Sequence, residues 1–353
     1  LAPACNKSCD DKPGPSPGSP CSAAQDRQGQ VAFAGDWREG ADIPYSLSMT
    51  PSLRIGTRGS RLALWQAQHA HALLQRAWPG LDTNLVVIRS QGDRQPGAIV
   101  PPPGGGFFTA ALTDALREGE VDLAVHSLKD LPTAPQPGLV VGAIPRRGAV
   151  ADVLISRDGL PLARLAMGAV IGTGSPRRVA QLRHQRPDLE FVPVRGNVHT
   201  RVQRLLEADS PCDALVLAEA GLLRLGLESC ISERLPLDLM LPAPGQGALA
   251  LQCRDEDSLL HLLAPLDHAP TRQAVNAERS FLASLASGCS APVASLATAV
   301  DDRLQLRGRV LALEGSRMIE LTLEESTTND RLLGERMAQL ALREGASDLV
   351  DGS

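Results

Sequence analysis

The sequence is poor in aromatic residues and in long apolar runs. Phe, Trp and Tyr make up only 3% of its 353 residues, too few for the exposed stacking platforms that bind single-stranded nucleic acid. The formal net charge of −5 also argues against a general nucleic-acid binder, which needs a basic footprint. No apolar run approaches the roughly 20 residues of a membrane-spanning helix. We therefore expect a soluble protein that binds neither nucleic acid nor membrane.

Cysteine is scarce, and its number and spacing argue against disulfide bonds and structural metal sites. The 7 cysteines are odd in number, and no CxxC pair or Cys/His ligand pattern occurs. A disulfide framework and a structural metal site are therefore not expected. This use of cysteine is typical of a reduced compartment, so we expect a cytoplasmic protein.

Lysine is the rarest of the charged residues. Of the 35 basic side chains, only Lys7, Lys12 and Lys129 are lysines. The arginine excess fits a general bias towards Ala, Leu, Pro and Arg. The position of Lys129 is more informative, because Asp130 follows it where a predicted strand runs into a loop. Loops at strand ends are where α/β proteins carry functional groups.

The first 48 residues differ in composition from the rest. Pro, Gly and Ser are frequent there and no apolar periodicity occurs, so the segment cannot offset the entropy lost on ordering. Met49 stands directly before the first strand-like run. We expect the native chain to start at Met49, and residues 1–48 to be a disordered or non-native extension.

Beyond residue 52, strand patterns alternate with amphipathic helices, which is typical of an α/β fold. The tripeptide Ile-Gly-Thr at 55–57 recurs at 171–173, each time after a strand pattern and before a turn and a helix. This repeat predicts two related α/β domains that face each other across a cleft. A predicted helix at 274–287, two strands at 304–313 and 318–324, and a helix at 330–344 indicate a small third α+β domain.

Arginines concentrate in the second predicted domain. Residues 172–204 contain seven arginines and only two acidic residues. Ser175 predicts a helix N-terminus, which would bring free backbone N–H groups next to Arg177 and Arg178. Arg195 follows another predicted strand. The guanidinium group of arginine binds a carboxylate through two parallel hydrogen bonds. This concentration of arginines therefore predicts a small polycarboxylate ligand.

Three residues and one segment leave alternatives open. Asp130 could stabilise a developing cation or bind pyrrole- or amide-type N–H donors, or form a solvated pair with Lys129. Lys129 could also act as a Schiff-base nucleophile. Cys289 lies in a predicted loop, where it could be a nucleophile, an attachment point or inert. The Gly-rich segment 104–108 could form a lid-like loop or a plain linker. It lacks the lysine of a phosphate-binding loop.

Seven motifs in this order resemble the porphobilinogen deaminase family, also called hydroxymethylbilane synthases. They lie at residues 57–67, 125–132, 172–178, 195–201, 220–226, 241–248 and 288–289. The resemblance implies a transferase that joins four porphobilinogen molecules head to tail, releases ammonia at each addition, and hydrolyses the chain to hydroxymethylbilane. It also implies a monomer acting in tetrapyrrole and haem biosynthesis.

The expected fold is α/β, with two related domains of the periplasmic-binding-protein type and a small α+β C-terminal domain. We expect the first domain at 49–146 with 246–265, the second at 150–240 and the third at 268–353.

The resemblance also implies roles for single residues. Asp130 matches the catalytic carboxylate that holds pyrrole N–H groups and stabilises the cation left when ammonia departs. Cys289 matches the cysteine that carries a dipyrromethane cofactor through a thioether. The other implied cofactor contacts are Lys129, Asp130, Ser175, Arg177 and Arg178. The implied substrate contacts are Arg58, Ser60, Phe108, Arg195, Arg201 and Arg224.

The sequence departs from the family pattern in the Gly-rich loop. Gly105 and Pro101 stand where many members have lysine, and Gly174 replaces a frequent serine, so we expect weaker substrate binding by the loop.

Two other functions would suit parts of the pattern: a non-enzymatic two-domain binder of carboxylates, and a cysteine hydrolase. Cys289 and the third domain disfavour the binder, and no His can be assigned to Cys289 as the base of a hydrolase.

Overall fold

A computed structural model describes residues 52–88, 109–285 and 292–351. Its strands are β1 Leu53–Thr57, β2 Thr83–Val87, β3 Leu123–Ser127, β4 Leu139–Ala143, β5 Asp152–Ser156, β6 Val170–Gly172, β7 Glu190–Val192, β8 Ala214–Ala218, β9 Glu233–Arg234, β10 Leu249–Arg254, β11 Val293–Val300, β12 Arg303–Leu311 and β13 Met318–Ser326. Its α-helices are α1 Arg61–Ala77, α2 Ala110–Arg117, α3 Pro176–Gln185, α4 Val198–Leu206, α5 Glu219–Leu225, α6 Asp257–Leu263, α7 Ala269–Ser284, α8 Asp330–Arg343 and α9 Ala346–Asp351.

Two five-stranded sheets share one topology. The first has the strand order β2-β1-β3-β10-β4 and the second β7-β6-β8-β5-β9. In each sheet the first three strands are parallel, and the fourth runs antiparallel to both of its neighbours. Strand β1 contains the first Ile-Gly-Thr tripeptide and β6 ends at the glycine of the second, and the two strands occupy the same place in their sheets. The prediction of two related α/β domains is confirmed.

Helix α1 shows how local sequence places these elements. Ser60 caps its N-terminus, because the hydroxyl oxygen accepts a hydrogen bond from the backbone N–H of Ala63 at 3.3 Å. Trp78, at the C-terminal end, is buried, and its indole N–H donates to the carbonyl oxygen of Leu262 at 2.8 Å. The indole therefore ties α1 to helix α6, which follows the antiparallel strand β10.

The C-terminal part combines the antiparallel sheet β11-β12-β13 with α7 and α8, which confirms the predicted α+β unit. Phe281 and Met337 are buried in its core. Gly334 lets the two helices approach closely: a Cβ there would collide with the backbone of Ala277 and lie 2.6 Å from the backbone nitrogen of Phe281.

Helix α7 begins at Ala269, five residues before the predicted start at residue 274. The prediction was wrong because the cap is His268, whose ring nitrogen accepts from the backbone N–H of Thr271 at 3.3 Å. Histidine is not among the usual capping residues.

Within the described ranges, no helix is both long enough and apolar enough to cross a membrane.

Candidate active site

The turn that carries Lys129 and Asp130 follows β3 directly. Residues Leu128–Asp130 form one turn of 3₁₀ helix, in which Leu128 is buried and Asp130 is exposed. The backbone N–H of Leu128 donates to the carbonyl oxygen of Ala248 at 3.0 Å. The turn thus presents a carboxylate at the carboxyl end of a buried strand, where α/β folds place ligands.

Lys129 points towards the second sheet. Its ammonium group donates to Oε1 of Gln246 at 3.3 Å. The pKa of Lys129 is lowered to about 8, mainly by burial and also by the positive charge of Arg178, while the charges of Asp130 and Asp152 oppose this change. Lys129 is thus mainly cationic at neutral pH, which suits it to bind a carboxylate. The lowered pKa also keeps the Schiff-base alternative open.

Arg177 and Arg178 lie in the first turn of α3, where both are buried around Asp152. Asp152 Oδ2 lies 2.8 Å from an Nη atom of Arg177, and Asp152 Oδ1 accepts from Nη2 and Nε of Arg178 at 2.7 and 3.0 Å. Burial alone would raise the pKa of Asp152, but the two guanidinium groups hold it well below its usual range. One carboxylate therefore balances only one of two buried cations.

Arg201 joins the two sheet domains electrostatically. It lies on α4, where its Nε donates to the carbonyl oxygen of Gly196 at 2.8 Å. Burial lowers the pKa of Arg201, the charge of Arg178 lowers it further, and the charge of Asp130 raises it. Arg201 of the second domain is therefore within electrostatic reach of Asp130 of the first.

Arg224 is engaged in packing. Its guanidinium donates to the carbonyl oxygen of Gly247 at 2.7 Å and lies 5.7 Å from the centroid of the Trp65 ring. Burial lowers the pKa of Arg224 to about 10. Because Trp65 lies on α1 and Arg224 on α5, this side chain holds the two sheet domains together, whatever it contributes to substrate binding.

The remaining predicted contacts lie near strand ends. Arg58 directly follows β1 and is half-buried, and Arg195 follows β7 and is exposed. The hydroxyl of Ser60 caps α1, whereas Ser175, at the N-cap of α3, makes no hydrogen bond to that helix through its side chain. The other named positions lie outside the described residues: residues 1–48, Pro101, Gly105, Phe108 and Cys289.

Two residues in this region were not predicted from the sequence. Gln246 is fully buried, and its amide nitrogen donates to Asp152 Oδ1 at 3.1 Å and to the carbonyl oxygen of Val150 at 2.7 Å. One amide thus connects Lys129 to the buried ion pair. Asp152 could have been found from the sequence, since it is the only charged residue of strand β5.

Two sheet domains of matching topology, with cationic side chains from both around one exposed carboxylate, define a two-domain α/β protein that binds an anionic ligand. The chain belongs to the porphobilinogen deaminase family. Residues 53–261 match the family model of the porphobilinogen deaminase dipyromethane cofactor binding domain, and residues 272–343 match that of the porphobilinogen deaminase C-terminal domain.

Named relatives agree with this assignment. The chain is 46% identical to the porphobilinogen deaminase of Leifsonia xyli over 85% of this chain and 94% of the relative. It is 46% identical to that of Thermobifida fusca over 86% and 97%, and 44% identical to that of Syntrophotalea carbinolica over 85% and 95%. Among solved structures, the B. pertussis BvgS periplasmic domain is 15% identical over 63% of this chain and 40% of that one, with a TM-score of 0.37, which is too low to support a conclusion.

The side chains present fit a cofactor that carries carboxylates. Six charged groups of this region interact electrostatically, and cations outnumber carboxylates among them. The cations are Lys129, Arg177, Arg178 and Arg201, and the carboxylates are Asp130 and Asp152. The excess positive charge is what a dipyrromethane with acetate and propionate groups would neutralise.

Proposed function

We propose that the chain condenses four molecules of porphobilinogen, with release of ammonia at each addition, and hydrolyses the product to hydroxymethylbilane. The observation that carries the proposal is the position of Asp130. It is exposed at the end of a buried strand and within electrostatic reach of Lys129 and Arg201. Family membership supports the substrate and the reaction.

Asp130 performs the electrostatic part of the reaction. When ammonia leaves the aminomethyl group, positive charge develops on the substrate ring and its exocyclic carbon. A fixed carboxylate next to the ring accepts a hydrogen bond from the pyrrole N–H and stabilises this charge. The surrounding cations bind the acetate and propionate groups, and thereby hold the ring against Asp130.

The proposed cofactor is dipyrromethane, held by a thioether to Cys289. When bound, it supplies the terminal pyrrole to which the first substrate ring is joined. Side chains of both sheet domains would contact it: Lys129, Asp130, Ser175, Arg177 and Arg178. The proposed substrate contacts are Arg58, Ser60, Phe108, Arg195, Arg201 and Arg224. Buried Arg177 and Arg178 act mainly through charge, since Asp152 already occupies their guanidinium groups.

We also infer three domains with the boundaries expected above, a monomeric state and a cytoplasmic location. The sheets support the division, since strands β1–β4 and β10 form one sheet, β5–β9 the second and β11–β13 the third.

Replacing Asp130 tests the proposal. Asp130→Asn keeps the size of an exposed side chain, so the midpoint of urea unfolding should stay unchanged while kcat falls by about 10³-fold or more. A matched control is Asp158→Asn, which removes another exposed carboxylate and should leave turnover unchanged. Near-normal formation of hydroxymethylbilane by Asp130→Asn would show that the assigned role is wrong.

A further inference from the structure

Helix α7 of the C-terminal domain reaches the turn that carries Asp130. Arg279 donates from one Nη atom to the carbonyl oxygens of Leu128 and Leu131 at 3.2 and 2.8 Å. Its other Nη atom donates to the carbonyl oxygen of Pro132 at 2.6 Å. A single guanidinium thus binds three backbone carbonyls, two of which flank Lys129 and Asp130 in the chain.

The turn is too short to be rigid by itself. It contains three residues, and the backbone N–H of Leu131 donates to the carbonyl oxygen of Leu128 at 3.1 Å. Short 3₁₀ turns have poor hydrogen-bond geometry, and their last carbonyls lack partners within the helix. Arg279 supplies a donor to the carbonyl of Leu131 at the C-terminal end of the turn, and its positive charge interacts favourably with the negative end of the turn.

Arg279 is mounted on a firmly anchored part of α7. The preceding residue, Glu278, is fully buried and accepts hydrogen bonds from an Nη atom of Arg147 at 2.6 Å, the backbone N–H of Gly245 at 2.7 Å and that of Ala297 at 2.9 Å. The carboxylate therefore fixes the helix against strand β11 and against the segments on either side of the second sheet domain. A guanidinium one residue later has a well-defined position from which to hold the turn.

We propose that Arg279 is a positioning residue that fixes the 128–132 turn, and through it the carboxylate of Asp130, in the geometry that the reaction needs. The proposal rests on the proposed function. In this proposal, a residue of the C-terminal domain directly positions the turn that carries the catalytic carboxylate. An error of about 1 Å in the placement of a reacting group can cost about 100-fold in rate, so loss of three hydrogen bonds to the turn should affect turnover.

The kinetic test compares three variants of the holoenzyme. Arg279→Gln should lower kcat about 10- to 100-fold with KM changed by less than about threefold. Arg279→Lys keeps the charge and one donor group, and should recover part of the loss. The matched control is Arg272→Gln, since Arg272 lies about two turns earlier on α7 and also donates to carbonyls of the first sheet domain, those of Val141 and Gly142, at 3.2 and 3.1 Å. This control should keep its kcat.

A second measurement does not depend on the reaction. Amide hydrogen exchange in a peptide covering residues 128–132 should be faster in Arg279→Gln than in wild type or Arg272→Gln, while exchange in α8 stays the same. Unchanged exchange there, or equal kcat in Arg279→Gln and Arg272→Gln, overturns the positioning role. If Asp130→Asn proves fully active, the proposed function loses its catalytic residue, but the exchange experiment still decides whether Arg279 orders the turn.

Discussion

The ammonium group of Lys129 donates to Oε1 of Gln246 at 3.3 Å, and the amide nitrogen of the same Gln246 donates to Asp152. Lys129 belongs to the turn after β3 in the first sheet domain, whereas Asp152 begins β5 of the second. The amide therefore connects the turn that carries Asp130 to a buried ion pair. Because Gln246 carries no charge, this hydrogen bond does not neutralise Lys129, which can still bind a carboxylate.

The first prediction concerns the pH dependence of substrate capture. Because burial lowers the pKa of Lys129 to about 8, the side chain loses its charge as the pH rises through 8. We expect kcat/KM for porphobilinogen to fall over this range, since kcat/KM reports the ionisation of the free enzyme. Lys129→Arg stays charged and should show a flatter profile. Identical profiles for the two proteins would contradict the prediction.

Stability should change in the opposite direction over the same range. In the unfolded chain Lys129 has its ordinary pKa of about 10.5, so between pH 8 and that value the unfolded state binds more protons than the folded state. The free energy of unfolding should therefore rise with pH there. Urea unfolding of wild type and Lys129→Met at pH 7.5 and 10 measures this, and the difference between the two proteins should shift in favour of wild type at the higher pH.

The second prediction concerns the buried pair of arginines. Asp152→Asn leaves Arg177 and Arg178 buried without a counter-charge, so we expect a loss of about 3 to 5 kcal/mol in the free energy of unfolding. Asp114→Asn is the control, because Asp114 forms an exposed ion pair with Arg117 at 3.2 Å and should cost less than about 1 kcal/mol. Urea unfolding curves measure both. Similar losses in the two variants would show that Asp152 does not stabilise the buried cations.

The architecture was largely predictable because its signals are local. The Ile-Gly-Thr repeat and the alternation of strands and helices are short-range patterns, and they identified the two related sheets. Strand β11, at Val293–Val300, was missed because its small residues give little periodic contrast. The start of α7 was missed because His268 replaces the usual capping residues.

The site was less predictable because its contacts are not local. Arg177 and Arg178 were recognised as cations, but not as buried partners of Asp152, because the fold brings together residues 25 and 26 positions apart. Arg279 was missed for a related reason. Its acceptors are backbone carbonyls. Every residue has one, so the sequence does not indicate which of them accept a hydrogen bond.

The third prediction concerns the cofactor anchor. If Cys289 carries dipyrromethane through a thioether, purified wild type should be heavier than its sequence mass by that group, and Cys289→Ala should not. Cys212→Ala is the control, because Cys212 is a buried free thiol and should leave the added mass in place. Intact mass spectrometry, before and after incubation with porphobilinogen, gives the answer. An unmodified wild type after incubation would remove the thioether from the proposal.

The fourth prediction concerns the contact between α7 and α8. Gly334→Ala should destabilise the protein by about 1 to 3 kcal/mol, because the added methyl group meets the backbone of α7 and backbone cannot move aside as a flexible side chain can. Gly221→Ala in α5 is the matched control. A Cβ there would lie 3.5 Å from Val198, an ordinary contact, so the higher helix propensity of alanine should leave stability unchanged or raise it by up to about 1 kcal/mol. Urea unfolding should therefore show a loss of stability for Gly334→Ala and no loss for Gly221→Ala. A stabilising Gly334→Ala would show that the close approach of α7 and α8 is not needed.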